Sequence, residues 1–576
     1  MYILVTGSRS ERIRVRELDA DGAPSGLDEV LTAAEFQAFV LAREQGVVRW
    51  VWEDTARTYP AVLRGSIRVQ RCHDLRLCHA ILRNSALTGA STLANAPAGR
   101  WDDPAAPVPS DAPGATLFEM DLGAAETADS TEPHADDPLA EFRSQLDAVR
   151  SCADPGRLRL LLAAESVGAL IAAEMQHAGL PWRSAIHDRL LTAELGPRAA
   201  AGVRPARLEE LVGRIRAELG DQALNPDSPP ELLRALNRAG LAVATTRAWE
   251  LEKLEHPVIE PLLRYKKLSR LLAANGWYWM ESWIVNDRFH PEYLPGGVVT
   301  GRWATRGGGA LQLPRQIRGA VVADPGWSFV VADAAQLEPR ILAALSTDTA
   351  MATAGRGTDL YAGIVASGVV ETRAHAKVAM LGAMYGATSG ESGRLLPRLA
   401  RAYPRALALT EAAARAGERG DVVSTRLGRS SPRPGGSWED DQARASEAGA
   451  SPADERRART QARDWGRFTR NFIVQGSAAE WALCWMAEIR KGLSALPPLT
   501  AARPQGRTPP SPFHSSPHLV FFLHDEVIVH TPKELAGGVA RIVAEAASTA
   551  GRLLFGDFPV DFPLTCVEVD SYADAK

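Results

Sequence analysis

The segment Phe521–His530, read as FFLHDEVIVH, places three polar residues between two apolar runs. Its aromatic and β-branched residues predict two strands joined by a tight turn at His524, Asp525 and Glu526. Two adjacent carboxylates at the tip of a buried hairpin repel each other and lose hydration, so we expect a positive partner there. A divalent cation such as Mg²⁺ suits this site because it takes one or two carboxylates together with phosphate oxygens. A polar turn facing water is the alternative, and the three residues alone do not decide between the two.

A further carboxylate follows an apolar run far upstream. The run Trp327–Val331 (WSFVV) predicts a strand that leads into Asp333. If this strand pairs with the hairpin, Asp333 and Asp525 meet across one sheet. Two aspartates on neighbouring strands can hold the paired metal ions that serve in-line phosphoryl or nucleotidyl transfer. Metal phosphohydrolases with an HD pair are an alternative, but they need further His and Asp ligands on helices.

Four residues recur at every fourth position in RAHAKVAMLGAMYG: Arg373, Lys377, Leu381 and Tyr385. At 3.6 residues per turn they share one slowly winding stripe of a helix. Arg373 and Lys377, one turn apart, suit a triphosphate, and the apolar and aromatic residues after them can cover a base or sugar. An ordinary amphipathic helix has the same spacing. The segment lacks the GxxxxGK[ST] loop of a Walker-type site.

Length and composition set broad limits. The chain has 576 residues, of which 45% are hydrophobic and 23% charged, as in a globular protein of about three or four domains. No apolar run reaches ~18 residues, so we expect no transmembrane helix and no membrane partner. The N-terminal residues show no basic region ahead of a long apolar stretch, so we expect no secretory signal. Five sparse cysteines fit a reducing cytoplasm. The net charge of −4 gives no evidence for nucleic-acid binding by the protein as a whole, but it is compatible with a local basic groove.

The order of apolar runs divides the chain. Residues 1–95 alternate strands and helices, with Val47–Trp52 and Ala61–Val69 as predicted strands. From about Asn95 to Pro138 the chain is rich in Ala, Pro, Asp and Thr, which predicts a linker or flexible loop within a connecting segment over residues 96–155. Long helices dominate residues 156–285.

One of these helices, within Ile259–Trp283, carries the cations Lys266, Lys267 and Arg270. A basic helical arm of this kind can hold a phosphate backbone. A solvated charged face is the equally weighted alternative.

Strand-end Asp333, the cationic helix and the carboxylate hairpin follow one another in an order similar to that of the DNA polymerase I family (family A). DAAQLEPR resembles that family's first polymerase motif, DYSQIELR; RAHAKVAMLGAMYG resembles R-x3-K-x3-F-x3-YG, and LHDE resembles VHDE. Further segments resemble its TGR…LQN stretch, its T-x-x-GR turn, its R-x3-N-x3-QGSAAD helix and its C-terminal W-x-x-AK: Thr300–Gln312, Thr425–Arg429, Arg467–Glu480 and Ser571–Lys576. The resemblance extends from about Leu160 to the C-terminus.

The resemblance implies a multidomain α+β protein with the palm, fingers and thumb of a right-hand polymerase and a small N-terminal α/β exonuclease-like domain. The implied boundaries are 1–95 for a degenerate exonuclease-like domain, 96–155 for the flexible connection, 156–285 for a helical thumb, 286–345 for the first palm segment, 346–465 for fingers with an insertion, and 466–576 for the second palm segment.

It also implies roles at matching positions. Asp333 and Asp525 would hold two Mg²⁺ ions, with Mn²⁺ able to substitute, and Glu526 and Lys377 would complete the catalytic set. Glu338 would pack under the incoming sugar and bond to Tyr385. The implied nucleotide-binding residues are Arg373, Lys377, Leu381, Tyr385, Glu338, Gln336 and Tyr361. The implied DNA-binding residues are Arg302, Gln312, Arg467, Asn471, Gln475 and His524.

The implied function is template-directed addition of dNTPs to a primer 3′-hydroxyl, in DNA repair or replication, by a DNA-directed DNA polymerase. Its implied partners are primer–template DNA and dNTPs, and it would act as a monomer in the cytoplasm, associated with the nucleoid. A relaxed-specificity gap-filling or translesion polymerase is an alternative, and so is a catalytically weak DNA-binding scaffold. Glu338 argues against a single-subunit RNA polymerase.

Several positions depart from the family pattern. Ala334-Ala335 stands where the family has Tyr-Ser, Leu381 where it has an aromatic, Tyr361 where it has His, and Pro339 where it has Leu. Proline is tolerated in a first helical turn. Residues 1–150 contain no Asp-x-Glu, the first metal motif of the family's 3′–5′ exonuclease. We therefore expect a polymerase without proofreading.

Overall fold

The computed structural model describes residues 1–7, 12–103, 137–200, 202–306, 309, 313–357, 359–386, 390–447, 449–497 and 511–575. The strands are β1 (Tyr2–Thr6), β2 (Ile13–Leu18), β3 (Pro24–Leu31), β4 (Arg49–Trp52), β5 (Cys72–Asp74), β6 (Leu180–Pro181), β7 (Ile284–Val285), β8 (Arg288–Phe289), β9 (Glu292–Leu294), β10 (Ala304–Arg306), β11 (Trp327–Ala334), β12 (His518–Leu523), β13 (Glu526–Pro532) and β14 (Leu564–Val569).

The helices are α1 (Ala33–Arg43), α2 (Thr55–Arg64), α3 (Leu75–Asn84), α4 (Thr92–Asn95), α5 (Pro138–Ser151), α6 (Pro155–Ala178), α7 (Ser184–Leu195), α8 (Ala206–Leu219), α9 (Pro229–Arg238), α10 (Ala248–Leu251), α11 (Ile259–Asn275), α12 (Trp277–Trp283), α13 (Leu337–Leu345), α14 (Thr349–Gly355), α15 (Leu360–Ala366), α16 (Arg373–Tyr385), α17 (Gly390–Ala402), α18 (Pro404–Glu418), α19 (Gly436–Ser446), α20 (Pro452–Ser494) and α21 (Ala536–Phe555). Among the helices in the described ranges, none is both long and apolar enough to cross a membrane.

The N-terminal sheet has the strand order β3-β2-β1-β4-β5. Strands β1, β2 and β3 pair antiparallel, whereas β4 lies parallel to both β1 and β5. The predicted strand at Val47–Trp52 is present as β4. The predicted strand at Ala61–Val69 is wrong, because α2 covers its first part. Asp54 caps this helix, and Tyr59, Val62 and Leu63 are buried on one helical face. The cap and the helical period near 3.6 therefore favour a helix over the predicted strand.

The linker predicted from composition ends at about Pro138, where α5 begins, and this helix occupies most of the remaining connecting segment up to residue 155. Asp137 accepts the N–H of Leu139 at 3.1 Å and caps α5, which begins with a proline at its first turn. Phe142 and Val149 of this helix are buried. Residues 104–136, where the Ala- and Pro-rich composition is strongest, lie outside the described residues.

The four-stranded sheet has the order β12-β13-β11-β14, and its neighbouring strands are antiparallel. All seven residues of β13 are buried, as are the first six of β11. Helix α21 packs on this sheet, and α6 and α20 also contact it through β12. Strand β11 runs directly into α13, and that connection carries the residues of the first predicted motif.

Helix α6 belongs to the core rather than to the separate thumb predicted from residue 156. Its Leu170 and Ala173 pack in the core of the N-terminal sheet. Its Leu161 and Met175 pack in the main core, which also contains the four-stranded sheet. A helix that is apolar around its whole circumference is buried, and sequence period alone does not say between which layers.

The basic arm on α11 is only partly exposed. The Nζ of Lys266 donates to the carbonyl of Thr246 at 2.5 Å and to its hydroxyl at 3.2 Å. Lys267 and Arg270 are exposed. Lys266 therefore ties the arm to a neighbouring loop, and two of the three cations face solvent.

Helix α20 runs unbroken for 43 residues, so the predicted domain boundary between residues 465 and 466 falls inside one element. Near its middle, Arg470 donates to the carbonyl of Ala383 at 3.2 Å and to Glu411 at 2.6 Å. Towards its end, Arg490 pairs with Glu174 of α6 at 2.7 Å. The helix thus links α16 and α18 to α6.

The N-terminal sheet is attached to this core through a buried ion pair cluster. Glu174 accepts hydrogen bonds from Tyr59 at 2.7 Å and from Arg68 at 2.9 Å, in addition to Arg490. Burial acts to raise the pKa of the Glu174 carboxyl, but Arg490 and Arg68 hold it well below its usual range. Removing one partner would leave a buried charge uncompensated, which is strongly destabilising.

Candidate active site

The carboxylates of the hairpin and of the upstream strand lie at one end of the four-stranded sheet. Asp333 pairs directly with Glu526, the first residue of β13. The N–H of Ala334 donates to the carbonyl of Asp525 at 2.9 Å. His524, with φ at +58°, lies in the turn between β12 and β13. The structure therefore brings Asp333, Asp525 and Glu526 together, and their roles stay predictions.

Carboxylate oxygens are the ligands that Mg²⁺ and Mn²⁺ prefer. Across the described ranges, no group of three or more His, Cys, Asp or Glu side chains is arranged to hold a metal ion. The fit to a divalent cation therefore depends on Asp333 and Asp525 as a pair, with substrate phosphates completing the coordination. Mg²⁺ is usually bound by one or two carboxylates together with substrate phosphates, so these two aspartates are suitable ligands for it.

Helix α16 has the amphipathic form expected from its spacing. Thr372 caps its start by accepting the N–H of His375 at 3.1 Å, and Gly386, with φ at +75°, ends it. The predicted stripe faces outward, with Leu381 and Tyr385 37% and 36% exposed. The side chains of Arg373 and Lys377 on the same stripe are exposed as well. The opposite face is buried in the core through Ala376, Ala379, Met380 and Ala383.

Glu338 stands in the first turn of α13 and connects three elements. Its carboxylate accepts the Tyr385 hydroxyl at 2.5 Å, as the resemblance implied. It also pairs with the Arg302 guanidinium, a contact that the sequence did not indicate. Partial burial and the bond to Glu338 both raise the pKa of the Tyr385 phenol, which keeps it a hydrogen-bond donor.

Asp359 organises the other side of the site, although sequence reasoning did not select it. Its carboxylate accepts two hydrogen bonds from Arg373, at 3.1 and 2.7 Å, and one from Gln336 at 3.0 Å. Burial acts to raise the pKa of Asp359, but the bond from Arg373 and the other donors lower it overall. Arg373 also lies 5.5 Å from the centre of the Tyr361 ring. A bound anion would have to compete with Asp359 for this arginine.

A cavity of about 190 Å³ joins these groups. Its polar wall includes Arg302, Glu338, His524 and Asp525. The remaining wall is mainly apolar and comes largely from α13, α16, α20 and β12. Its residues are Gly301, Trp303, Gln336, Leu337, Pro339, Tyr361, Leu381, Met384, Ala478, Ala479, Ala482, Leu483, Met486 and Phe522.

The other predicted DNA-binding residues lie along α20. Arg467 is exposed and pairs with Asp464. A Cβ placed at Gly386 would lie 3.1 Å from the Cγ of Arg467, so this arginine sits at the end of α16. Asn471 and Gln475 follow at successive turns and are half-buried. Gln312 lies outside the described residues.

The turn that resembles T-x-x-GR is held by two buried carboxylates that the sequence did not identify. Glu480 accepts the hydroxyl of Thr425 and, at 2.8 Å, the N–H of Leu427. Arg429 donates to Glu165 of α6 at 2.7 Å. Burial raises the pKa of Glu480 to about 7. The turn is therefore a structural support between α6 and α20.

The sequence model of DNA polymerase family A matches residues 204–566, which is more than half of the chain. This protein belongs to DNA polymerase family A. It is 27% identical over 393 residues to DNA polymerase I of Chloroflexus aurantiacus, covering 60% of this chain and 37% of that protein. It is 24% identical over 432 residues to the thermostable DNA polymerase I of Thermus aquaticus, covering 66% of this chain and 46% of that protein. The chain thus matches less than half the length of these relatives.

A solved structure has the same family A fold. The POL domain of Pol1 from M. smegmatis, in complex with DNA primer–template and dNTP, is similar with a TM-score of 0.64 at 17% identity. The similarity covers 100% of this chain and 95% of that domain. The predicted family and the predicted right-hand polymerase fold are confirmed.

Proposed function

We propose that this family A protein is a template-directed DNA polymerase that adds deoxynucleotides to the 3′-hydroxyl of a primer. One observation carries the proposal. A single cavity is lined by Asp525 of the hairpin, Glu338 of α13 and Leu381 of α16. Asp333 lies one strand from the hairpin, and Lys377 lies one turn from Leu381 on the exposed stripe. Two carboxylates and an apolar surface thus line one space, and a third carboxylate and a cation lie on elements that border or adjoin it.

Each side chain has a chemical task in this proposal. Lys377 and Arg373 would hold the triphosphate of the incoming nucleotide, as a point charge and a fork respectively. Arg373 would exchange its bonds to Asp359 for bonds to phosphate oxygens. Asp333 and Asp525 would hold two Mg²⁺ ions, which when bound activate the primer hydroxyl and stabilise the leaving pyrophosphate.

The pairing of Glu338 with Tyr385 would shape the sugar side of the pocket. The two groups are held at 2.5 Å, and on this proposal they would form the wall that excludes a 2′-hydroxyl. Arg302 binds the same carboxylate and would reach the primer terminus through its remaining donors. On this proposal, sugar selection belongs to Glu338 and Tyr385, while Leu381 covers the nucleoside in place of the family's aromatic residue.

We also propose that the N-terminal domain is a degenerate exonuclease-like module without nuclease activity. Two of its carboxylates, Asp54 and Asp74, cap helices and accept backbone N–H groups. Asp74 accepts the N–H groups of Thr55 at 2.7 Å and Leu77 at 3.0 Å, and burial raises its pKa to about 7. Asp54 caps α2 through the N–H of Ala56 at 2.9 Å.

Primer extension tests the main proposal. The purified chain with Mg²⁺, a primer–template and four dNTPs should extend the primer by the complement of the template. Lys377→Ala should lose extension, whereas Lys491→Ala, which removes an exposed lysine paired with Glu488 at 3.2 Å, should not. Primer–template binding without extension by the wild-type chain would favour a DNA-binding scaffold instead.

A further inference from the structure

The C-terminal segment passes beside the start of β11 and sends one side chain to the carboxylate hairpin. The N–H of Tyr572 donates to the carbonyl of Val321 at 3.0 Å, and the N–H of Ala323 donates to the carbonyl of Asp570 at 2.9 Å. These bonds fix the backbone on both sides of residue 571. The Tyr572 side chain is fully buried, and its hydroxyl donates to Oε1 of Glu526.

Glu526 is a sensitive point for such a contact. Only 1% of this residue is exposed, and it lies directly opposite Asp333 in the pairing of β11 with β13. Side chains of directly opposed residues share one face of an antiparallel sheet, with Cβ atoms about 4.5–5.5 Å apart. Two carboxylates at this separation repel each other, so their orientations depend on the donors that hold them. A hydroxyl donor to a carboxylate gives a short, charge-assisted bond of defined direction.

The aromatic ring of Tyr572 is itself held on two sides. The Arg318 guanidinium lies 4.4 Å from the ring centre, a cation–π distance, and the Phe521 ring lies 6.3 Å away. The position corresponds to the tryptophan of the W-x-x-AK pattern, and tyrosine brings a hydroxyl in place of an indole N–H. The ring therefore has a fixed place from which its hydroxyl reaches Glu526.

We propose that Tyr572 is a positioning residue of the active site, whose hydroxyl orients Glu526 beside Asp333 and so sets how tightly the carboxylates bind a divalent cation. The inference rests on the proposed polymerase function. Partners behind the groups that ligate a metal orient those ligands, and their loss lowers metal affinity or activity by roughly 10- to 100-fold. Tyr572 acts on the ligand Asp333 through Glu526, which lies opposite it, and does not touch substrate.

Tyr572→Phe tests the inference because it removes the hydroxyl and keeps the ring, its packing and its stacking with Arg318. Binding of Mn²⁺ alone, followed by the electron paramagnetic resonance signal of the free ion, should weaken by about tenfold or more. In steady-state incorporation kcat should fall, while the KM for dNTP should stay near the wild-type value.

Tyr59→Phe is the matched control. Tyr59 is also fully buried and donates to a buried carboxylate, Glu174, at 2.7 Å in the N-terminal domain. Both variants should lose thermal stability to a similar extent, but only Tyr572→Phe should lose Mn²⁺ affinity. Equal Mn²⁺ affinities in the two variants, whether lowered or unchanged, would overturn the inference.

Two further measurements keep the outcomes distinct. Asp525→Asn should weaken Mn²⁺ binding; if it binds Mn²⁺ like the wild type, the proposed metal site fails, irrespective of Tyr572. If Asp525→Asn loses Mn²⁺ binding and Tyr572→Phe does not, only the role of Tyr572 is refuted.

If Tyr572→Phe does not fold, amide hydrogen exchange of the wild-type chain replaces the variant. Saturating Mn²⁺ should slow exchange at residues 570–575 by reciprocal coupling, and unchanged exchange there would refute the link.

Discussion

Replacing Glu338 with alanine tests the part of the site that is expected to select the sugar. The Glu338 carboxylate accepts the Tyr385 hydroxyl at 2.5 Å and pairs with Arg302, and its side chain is only 17% exposed. A 2′-hydroxyl on the incoming sugar would meet this carboxylate and disturb its bond to Tyr385. We therefore expect Glu338→Ala to raise ribonucleotide incorporation relative to deoxyribonucleotide incorporation, even where overall activity falls.

The magnitude follows from the contact that a ribose would break. A hydrogen bond to a charged group is worth about 1.5–3 kcal/mol. Since about 1.4 kcal/mol corresponds to a factor of ten, loss of the Tyr385 contact amounts to roughly 10- to 10²-fold discrimination. The Arg302 side chain is 32% exposed, so its ion pair with Glu338 adds less. We assign that pair on the order of 1 kcal/mol or below.

Single-nucleotide incorporation of matched rNTP and dNTP measures kcat/KM for each substrate, and the ratio of the two values is the readout. Tyr385→Phe removes the other half of the hydrogen bond, so a double-mutant cycle with Glu338→Ala isolates the coupling between them. Glu281→Ala is the control, because it removes an exposed carboxylate that pairs with Arg198 at 2.5 Å.

A structural role gives a different result. Glu338 lies in the first turn of α13, where the helix macrodipole by itself favours a carboxylate. In that case Glu338→Ala would lower thermal stability and leave the rNTP/dNTP ratio unchanged. An unchanged ratio would remove Glu338 from sugar selection and refute the reasoning.

Three other predictions concern the same protein. Asp525→Asn should abolish incorporation while primer–template affinity, measured by fluorescence anisotropy, and folding stay close to wild type; extension near the wild-type rate would contradict its role. Lys377→Ala should lower kcat by ~10²-fold or more, since a cation facing developing phosphate charge is lost; an equal loss of DNA affinity would instead assign α16 to DNA binding. The wild-type chain should show no metal-dependent 3′–5′ degradation of a mismatched primer, and degradation that persists in Asp333→Ala would disprove this.

Local patterns in the sequence predicted the elements that carry the site. Aromatic and β-branched residues on both sides of a polar interruption predicted β12 and β13 around the turn at His524 and Asp525. The period of four predicted α16 with its exposed stripe. Pro339 falls in the first turn of α13, where proline is compatible with a helix, so the element forms despite the departure. These features depend on residues within one or two turns of each other, which is why spacing and propensity reveal them.

Two apolar runs have local patterns that do not show which structure they adopt or where they pack. Ala61–Val69 looks apolar enough for a strand, but the Asp54 cap and the helical spacing of Tyr59 and Val62 make its first part a helix. The apolar residues of α6 predicted a helix but not that it lies in the core between two sheets. In both cases, packing against distant elements decided what an ambiguous apolar run became.

The sequence by itself determined which residue types the site contains and in what order, because motif spacing is a property of the chain. Only the tertiary structure decided their partners. Three contacts of the site join residues that are remote in the chain or lie on separate elements. They are the strand pairing of Asp333 with Glu526, the ion pair of Arg302 with Glu338 and the ion pair of Arg373 with Asp359. Such contacts depend on how whole elements pack, and the local sequence around a residue does not specify which distant group its side chain will contact.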